Sequence, residues 1–590
     1  MAALQDILLA QAFADQCRRW ARQLGAEPEA VQAAGRAAQA VAEAVAAGHV
    51  CLALDRGAPP FDPEALLASG VAGPPGAGTP LILDGPRLYL ARYFDAEARL
   101  ARALLARHRK RPPPPGPAAR QLLLNLFPAE RSGEPDWQQL AVALALCRRL
   151  TIISGGPGTG KTTTVARLLA CLLADTPDLR IALAAPTGKA AARLQESLQA
   201  RAADLPGDIA ARLPRGASTL HRLLGLGIDG QAPRHHRDNP LPVDLLVVDE
   251  ASMLDLTLAL QLVEALPPQA RLILLGDKDQ LKAVEAGAVF AALSASPALS
   301  PATAAQLAEL TGWPVESLPQ AQAAAPLDDA VVWLSRSHRF AAGSALGRLA
   351  GALVRGQAAL ALECLEAGGG DLARIDAPGA GLGSQEFQRL EAGYEPYRQA
   401  LAAWQGDAAQ LPLLFAAFES YRVLCATRRG ERGVEAVNER LAARLRPLGS
   451  SVRPDQPFAG QPLMILQNDP ATRLFNGDIG LALEDGEGLG VFFPDGAGGY
   501  RRLAPSRLPR WEGAFALTVH KSQGSEFDGV ALVLPTQDSP LLTRELIYTG
   551  VTRARRRVQL FAPAGLLQQA LVRQAQREGG LALRLLDTAD

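Results

Sequence analysis

A glycine-rich run that ends in lysine and threonine is the strongest chemical signal in this 590-residue chain. Residues 155–162 read Gly-Gly-Pro-Gly-Thr-Gly-Lys-Thr, between a short apolar run at 150–153 and a helical pattern at 162–173. In this setting the loop N–H groups can surround a triphosphate, the lysine can reach its β- and γ-phosphates, and the threonine hydroxyl can hold Mg²⁺. The alternative, a glycine-rich turn with an unrelated lysine, is disfavoured by the strand, loop and helix order. The residues predicted to bind the nucleotide here are Gly155, Gly156, Pro157, Gly158, Thr159, Gly160, Lys161, Thr162 and Thr163.

Two adjacent carboxylates follow a buried-strand pattern. Residues 243–248 are mostly apolar and lead directly into Asp249 and Glu250. Parallel α/β sheets place ligands at the carboxyl ends of their strands, so Asp249 is predicted to hold Mg²⁺ and Glu250 to orient and deprotonate the attacking water. The alternative is an exposed pair of acids at a strand end, which the accompanying phosphate loop disfavours.

Two glutamines are candidates for contacts with the nucleotide. The strand pattern 271–275 runs into Gly-Asp-Lys-Asp-Gln, which places Gln280 at the same sheet edge, where its amide could sense the γ-phosphate. A Gly-Asp pair after a strand is often only a turn. Gln138 precedes the phosphate loop and could read the adenine edge, although an ordinary surface position fits the sequence almost as well.

Two arginine-bearing runs lie in the second half of the chain. Residues 334–340 contain Arg339, and residues 548–555 contain Arg553. A guanidinium brought across a cleft to the γ-phosphate stabilises the charge of the transition state and raises kcat by about 10³ to 10⁵. Surface arginines are common in this chain, and the run 555–557 is better interpreted as a solvated face.

Three strand-to-helix turns carry hydroxyl side chains. Residues 185–191 and 218–221 offer backbone N–H groups and hydroxyls to an anion, but each is equally consistent with a plain helix cap. The run 518–526 combines hydroxyls, imidazole, ammonium and amide groups, and suits an element that contacts a phosphate backbone and couples it to the nucleotide.

The composition limits the class of protein. Hydrophobic residues make up 48% and charged residues 20% of the chain, no apolar run is long enough for a membrane span, and the first residues lack the basic start of a signal peptide. Six cysteines without CxxC spacing argue against disulfides or zinc and predict a reducing, cytoplasmic location. The net charge of zero means that nucleic-acid contact would require a local basic strip.

The fold class predicted is α/β with about four units. Residues 1–115 have helical spacing and end in the proline-rich linker 112–115, with no catalytic motif. Residues 116–330 alternate strand and helix patterns, which is typical of a parallel sheet. A second α/β pattern covers 331–590, interrupted at about 430–512 by short strands and an Asn-Gly hairpin signal that predict a small β-barrel.

Taken in order, these runs resemble superfamily 1 helicases over residues 118–560, and more closely the RecD family. The motifs that carry this resemblance are WQQLAVALALCRRLTIISGGPGTGKTTT, LLVVDEASMLD, GDKDQLKAVEAGAV, LFNGDIG and TVHKSQGSEFD. The resemblance implies two RecA-like motor domains with ATP bound between them, a single strand of DNA across the top, 5′ to 3′ movement and an SH3-like barrel. It also implies RecB-like and RecC-like partner subunits, with the N-terminal module docked on the RecC-like subunit and no nuclease site in this chain.

The same resemblance assigns roles to individual residues. Residues 227–240 would form a short strand-separating hairpin. The ATPase roles fall to Lys161, Thr162, Asp249, Glu250, Gln280, Arg339 and Arg553. The residues facing DNA would be Thr187, Gly188, Thr219, His221, Thr518, His520 and Lys521.

Two other functions stay open on the sequence alone. A stand-alone helicase of the same type would carry a longer N-terminal extension with DNA-binding repeats, and none precedes residue 112. A scaffold subunit that binds nucleotide without using it would have little chemical need for Lys161, Glu250, Arg339 and Arg553 together.

Overall fold

Two parallel sheets form the centre of the molecule. The computed structural model describes residues 2–56, 59–128, 133–227, 232–283, 285–322, 325–340, 343–446, 456–469, 471–496 and 498–587. Within these ranges the two central sheets have six and five strands, and two smaller sheets of four and five strands accompany them. None of the helices described combines the length and the apolar character needed to cross a membrane.

The N-terminal module combines helices with a small sheet. Its elements are α1 (Ala2–Gln23), α2 (Pro28–Ala46), β1 (Cys51–Ala53), α3 (Pro63–Ala68), β2 (Ala72–Gly73), β3 (Leu81–Asp84), β4 (Arg87–Leu90) and α4 (Ala91–Arg109). The strands pair in the order β1-β4-β3-β2. The sequence predicted a helical module without this sheet, because strands of two to four residues are too short to show a period-two alternation.

The first α/β domain carries the six-stranded sheet. Its elements are α5 (Pro117–Leu126), α6 (Trp137–Cys147), β5 (Leu150–Gly155), α7 (Lys161–Asp175), β6 (Ile181–Ala185), α8 (Gly188–Ala202), α9 (Gly207–Ala210), β7 (Ser218–Thr219), α10 (Leu220–Leu224), β8 (Leu245–Val248), α11 (Leu256–Ala265), β9 (Arg271–Gly276), α12 (Val289–Leu293), α13 (Pro301–Thr311) and β10 (Val331–Leu334). The strand order is β10-β5-β9-β8-β6-β7, and every pair is parallel.

The boundary between the two α/β domains lies a few residues later in the chain than the predicted position, residue 330. Strand β10 pairs in parallel with β5, Val331 opposite Ile152 and Leu334 opposite Gly155, so it belongs to the first sheet. An isolated apolar tetrapeptide does not specify the sheet that it joins, and the sequence pattern assigned it to the following domain. The second domain therefore starts after Leu334.

The second α/β domain carries the five-stranded parallel sheet. Its first elements are α14 (Ala345–Val354), α15 (Ala358–Ala367), β11 (Leu372–Asp376), α16 (Ser384–Gly393), α17 (Glu395–Ala402), α18 (Leu411–Glu419), β12 (Tyr421–Cys425) and α19 (Val434–Leu445). The insertion then contributes β13 (Pro462–Ile465), β14 (Ile479–Asp485), β15 (Gly488–Pro494), β16 (Tyr500–Leu503) and β17 (Trp511–Gly513). The chain returns with β18 (Ala516–Thr518), β19 (Phe527–Val533), α20 (Arg544–Val551), β20 (Ala554–Ala562), α21 (Ala564–Val572) and α22 (Leu581–Asp587). The parallel order is β11-β20-β19-β12-β18.

The insertion is an antiparallel sheet with its own apolar core. Its strands pair in the order β16-β15-β14-β13-β17, and Leu463, Val491 and Phe493 are among its buried residues. Helix α19 lies inside the predicted range 430–512 but packs into the core of the second domain, so the strands of the insertion begin only at Pro462. Within the same range, residues 447–455, 470 and 497 lie outside those described.

Each central sheet is covered by helices on both faces. In β5, Ile152 and Ile153 point into different apolar clusters, as expected for a strand buried on both sides. One of these clusters also contains Leu104 of α4 and Leu585 of α22. The N-terminal module and the C-terminal helix therefore share a core with the first α/β domain.

Candidate active site

The phosphate loop joins β5 to α7. Gly158 and Gly160 have φ angles of +78° and +84°, left-handed conformations that a side chain would strain. Lys161 begins α7, and its Nζ donates to the carbonyl oxygens of Gly155 at 2.6 Å and Gly156 at 3.2 Å. The loop thus wraps around the lysine ammonium at a helix N-terminus, an arrangement suited to phosphate.

Asp249 and Glu250 follow β8 at the carboxyl edge of the same sheet. The Asp249 N–H donates to the Ala184 carbonyl at 2.9 Å, and the Glu250 N–H donates to Asp249 Oδ1 at 2.9 Å. Burial and the neighbouring Glu250 raise the pKa of Asp249 to about 6, against the opposing effect of Lys161. An added cation would stabilise the charged form of a carboxyl group whose pKa is raised in this way.

Gln280 connects the first α/β domain to the second. Its Nε2 donates to Asp277 Oδ2 at 2.9 Å, and its Oε1 accepts from Arg553 Nη2 at 2.8 Å. Arg553 also donates to the carbonyl oxygen of Thr549 at 3.2 Å. Asp277, Gln280 and Arg553 are each only 3% exposed, so these bonds fix the direction of the amide and of the guanidinium in a water-poor interface.

Helix α20 rests on the end of β9 and on the phosphate loop. The Tyr548 hydroxyl donates to Asp277 Oδ2 at 3.0 Å, and a Cβ atom on Gly156 would lie 2.7 Å from this hydroxyl. The Leu281 N–H donates to Thr549 Oγ1 at 2.9 Å. Asp277 and Tyr548 were not predicted as site residues, although both lie inside runs whose neighbouring residues were.

Arg339 reaches the phosphate loop from the segment that follows β10. The His338 N–H donates to the Gly158 carbonyl at 2.8 Å, and a Cβ atom on Gly158 would clash with Arg339 Cβ. The Arg339 side chain donates to the Thr552 carbonyl at 3.2 Å and forms an ion pair with Glu526. The Arg339 segment thus contacts the loop directly, whereas the hydrogen bonds of Arg553 go to Gln280, Ser525 and Thr549.

Gln138 also touches the phosphate loop. Helix α6 is capped by Asp136, and Gln138 Nε2 donates to the Thr159 carbonyl at 3.1 Å. A Cβ atom on Gly160 would clash with this amide. Gln138, the phosphate loop, the two acids, Gln280 and both arginines line one cleft of about 3490 Å³.

The residues predicted to face DNA fall in two groups. In the first domain, Thr187 Oγ1 caps α8 and Thr219 Oγ1 caps α10, which is the alternative that the sequence left open. Gly188 and Thr219 line the cleft, and His221 is exposed. Since β6 and β7 pair in parallel, this first group lies along one sheet edge.

The second group follows β18. Thr518 Oγ1 accepts from the Lys521 N–H at 3.2 Å, and Lys521 Nζ forms an ion pair at 2.9 Å with Glu512 of the insertion. Burial and the nearby Arg577 lower the pKa of His520, which favours the neutral imidazole. The sequence could not anticipate the contact between this turn and the insertion.

The predicted hairpin at 227–240 is described only in part. Residues 228–231 lie outside the described ranges. In the remainder, His236 and Asn239 form an antiparallel bridge, and the His235 N–H donates to the Leu224 carbonyl at 3.0 Å.

Comparison with known proteins extends these observations. Residues 138–286 match the AAA domain family, and residues 513–561 match the UvrD-like helicase C-terminal domain family. The RecBCD enzyme subunit RecD of Mycobacterium tuberculosis (strain H37Rv) is 40% identical, covering 94% of this chain and 92% of that protein. The subunit of the same name from Haemophilus influenzae is 38% identical, covering 79% and 75%. The ATP-dependent RecD2 DNA helicase of Deinococcus radiodurans is 31% identical, covering 83% of this chain and 57% of that protein.

A solved structure is also similar. The Pif1 helicase from Bacteroides, in complex with ADP-AlF3 and ssDNA, is 16% identical with a TM-score of 0.40, covering 75% of this chain and 94% of that one.

The two parallel sheets, with a phosphate loop on the first and Arg553, directly before a strand of the second, lining the same cleft, define a P-loop nucleoside triphosphatase built on paired α/β domains. Identities of 38–40% over most of the chain identify the family more narrowly. The chain belongs to the RecD family of helicase proteins.

Proposed function

We propose that this RecD-family chain is an ATP-dependent DNA helicase that moves 5′ to 3′ along one strand. In this proposal it works as the motor subunit of a RecBCD-type helicase–nuclease, in double-strand break repair and homologous recombination. The observation that carries the proposal is that Lys161, Glu250, Arg339 and Arg553 all line the same cleft. A site assembled from two domains can couple hydrolysis to their relative movement.

ATP and Mg²⁺ are the proposed cofactors. Thr162 and Asp249 would hold the cation, and the raised pKa of Asp249 fits a carboxylate prepared for a positive charge. When bound, Mg²⁺ neutralises phosphate charge. Glu250 would orient and deprotonate the attacking water, and Gln280 would sense the γ-phosphate.

The arginines and lysine supply the remaining positive charge. Lys161 would contact the β- and γ-phosphates, and Arg339 and Arg553 would stabilise the negative charge that develops in the transition state. Gln138 and the phosphate-loop residues would bind the rest of the nucleotide.

DNA is proposed to cross both α/β domains, which correspond to two RecA-like motor domains. The first contributes Thr187, Gly188, Thr219 and His221, and the second contributes the turn at 518–521. ATP would close the cleft and hydrolysis would reopen it, so that the two grips advance alternately along the strand. Opening one duplex step costs only about 1.4 kcal/mol of stacking, so the motor would bias the direction of motion as much as supply force. The five-stranded insertion corresponds in this account to the SH3-like barrel.

The N-terminal module is proposed to dock on a RecC-like subunit, beside a RecB-like one. Helix α1 buries Ala14 and Cys17 against α2 but leaves the consecutive residues Ile7, Leu8 and Leu9 exposed, at 47%, 55% and 70%. Contiguous exposed apolar side chains are typical of protein interfaces. Leu8→Glu with Leu9→Glu should abolish co-purification with a RecC-type subunit while Gln11→Glu does not, and equal recovery of all three would contradict this docking face.

Three further features support the proposed location and function. All six cysteines are buried and free, which supports a location in the reducing cytoplasm. Identity is higher to the mycobacterial and Haemophilus RecBCD subunits than to the Deinococcus RecD2 helicase, which favours the subunit over the stand-alone helicase. The complete set of charged groups in the cleft argues against a scaffold that only binds nucleotide.

The proposal is tested by ATP-dependent unwinding of duplexes with either a 5′ or a 3′ single-stranded tail, with and without RecB- and RecC-type subunits. We expect unwinding of the 5′-tailed duplex and none by Glu250→Gln. Preference for the 3′ tail, or full activity of Glu250→Gln, would contradict the proposed mechanism. Unwinding that requires the partner subunits would favour the complex over the stand-alone helicase.

A further inference from the structure

Glu526 lies where arginines from both α/β domains converge. One carboxylate oxygen accepts from Arg339 Nη2, and the other accepts from Arg555 Nε at 3.2 Å. Arg193, on α8 of the first domain, donates to the Glu526 backbone carbonyl at 3.2 Å. Glu526 was part of a run predicted to face DNA, but its own role was not predicted.

The Glu526 carboxylate is charged at neutral pH. Burial by itself would raise the pKa of Glu526, but the guanidinium groups of Arg339, Arg193 and Arg555 lower it to about 2. Its side chain is 25% exposed, so the ion pair with Arg339 is partly shielded from water. Charged hydrogen bonds of this kind are about twice as strong as neutral ones.

Arg339 depends on this partner for its direction. Its backbone is fixed on the phosphate loop through the His338 N–H, but the long arginine side chain has many rotamers that a partner must restrict. Besides Glu526, the Thr552 carbonyl is its only hydrogen-bond acceptor among the described residues. Without Glu526 the guanidinium would retain one neutral contact.

We propose that Glu526 is a positioning residue for ATP hydrolysis, which aligns the Arg339 guanidinium with the phosphate loop. This role rests on the proposed function, in which Arg339 stabilises the transition state. Arg555, bound to the second oxygen, keeps the carboxylate oriented and compensates its charge. Glu526 itself needs no contact with the nucleotide.

The test is a double-mutant cycle on the full chain with its partner subunits, measured as kcat and KM for ATP at saturating single-stranded DNA. The variants are Glu526→Ala, Glu526→Gln, Arg339→Ala and Arg339→Ala with Glu526→Ala. We expect Glu526→Ala to lower kcat about 10- to 100-fold with KM changed less than about threefold, and Arg339→Ala to lower kcat about 10³-fold. The double variant should lose no more than Arg339→Ala, because Glu526 acts through that side chain.

Two variants separate positioning from folding. Glu526→Gln keeps the size and an acceptor oxygen but not the charge, so its kcat should lie between those of wild type and Glu526→Ala. Asp528→Ala removes a nearby carboxylate that has no ion pair among the described residues, and should leave kcat unchanged.

Three outcomes would overturn the inference. Multiplicative losses in the double variant would mean that Glu526 acts independently of Arg339. A rise in KM at unchanged kcat would assign Glu526 to nucleotide binding instead. Unchanged kcat in Arg339→Ala would remove the role proposed for Arg339 itself, a failure of the proposed function that the first two outcomes do not imply.

Discussion

Glu250 has a φ angle of +52°, a left-handed conformation that few non-glycine residues adopt. The residue directly follows Asp249, whose side chain accepts the Glu250 N–H at 2.9 Å. Strain of this kind persists where the surrounding structure holds a residue for a purpose. Such a conformation can direct two consecutive carboxylates differently, as the separate roles proposed for Asp249 and Glu250 would require.

Glu250→Gln should bind ATP but not turn it over. The amide keeps the size of the side chain and cannot accept a proton, so kcat should fall by about 10² to 10⁴. The measurement is phosphate release alongside equilibrium binding of a fluorescent ATP analogue. Loss of nucleotide affinity without loss of kcat would place Glu250 in binding rather than in catalysis.

Lys189 makes the stability of the chain depend on pH. Burial, together with Arg193 and Arg422, lowers the pKa of Lys189 to about 8, despite the Glu419 carboxylate at 3.7 Å. The unfolded pKa is about 10.4, so above pH 8 the unfolded chain binds more protons and stability rises with pH.

Wild type should therefore gain about 1 kcal/mol of unfolding free energy over Lys189→Gln between pH 7 and pH 9. Denaturant unfolding of both proteins at the two pH values measures this difference. A difference that stays constant with pH would show that Lys189 titrates normally.

Helix α20 couples the two α/β domains through one buried hydroxyl. Tyr548 is 4% exposed, and its hydroxyl joins Asp277 Oδ2, which also receives the Gln280 amide. Movement of α20 therefore changes the hydrogen bonding of the residue proposed to sense the γ-phosphate.

Tyr548→Phe should weaken the coupling of ATP hydrolysis to DNA. The ring remains in place, but Asp277 loses one hydrogen bond, and we expect DNA stimulation of kcat to fall about 10-fold with basal kcat nearly unchanged. ATPase assays with and without single-stranded DNA test this expectation. Undiminished stimulation would show that the hydroxyl is only structural.

The sequence predicted the parts of the site that are contiguous in the chain. The phosphate loop, the acids after β8 and Gln280 each follow a buried strand, so periodicity and turn residues are sufficient to find them. Tyr548 lies 271 residues from its partner Asp277 and Glu526 lies 187 residues from its partner Arg339, and no local pattern pairs them. The strand at 331–334 was assigned to the wrong sheet for the same reason.

The C-terminal segment ties the second α/β domain to the N-terminal module. The Val50 N–H donates to the Glu578 carbonyl at 2.8 Å, and the Gly580 N–H donates to Glu97 Oε1 at 2.9 Å. Glu97 is 1% exposed and forms an ion pair with Arg584 at 3.3 Å. The module proposed to dock on a partner subunit is thus linked to both α/β domains.

Glu97→Gln should detach this segment. Arg584 keeps its ion pair with Asp84 at 3.0 Å, but the Gly580 N–H and the Arg584 guanidinium lose a charged acceptor, so the segment after residue 575 should become more accessible to trypsin. Asp95→Asn, at an exposed position on the same helix, is the matched control and should behave as wild type. Equal protection in both variants would mean that the Arg584–Asp84 ion pair and the apolar contacts of α22 hold the segment without the Glu97 carboxylate.

The central claim is that one ATP site uses groups from both α/β domains, and Arg553→Ala tests it most directly. Single-turnover hydrolysis of ATP and equilibrium ATP binding should be measured for this variant beside wild type. The account predicts binding within a few-fold of wild type and hydrolysis slower by about 10³ or more. Hydrolysis by Arg553→Ala at the wild-type rate would contradict it.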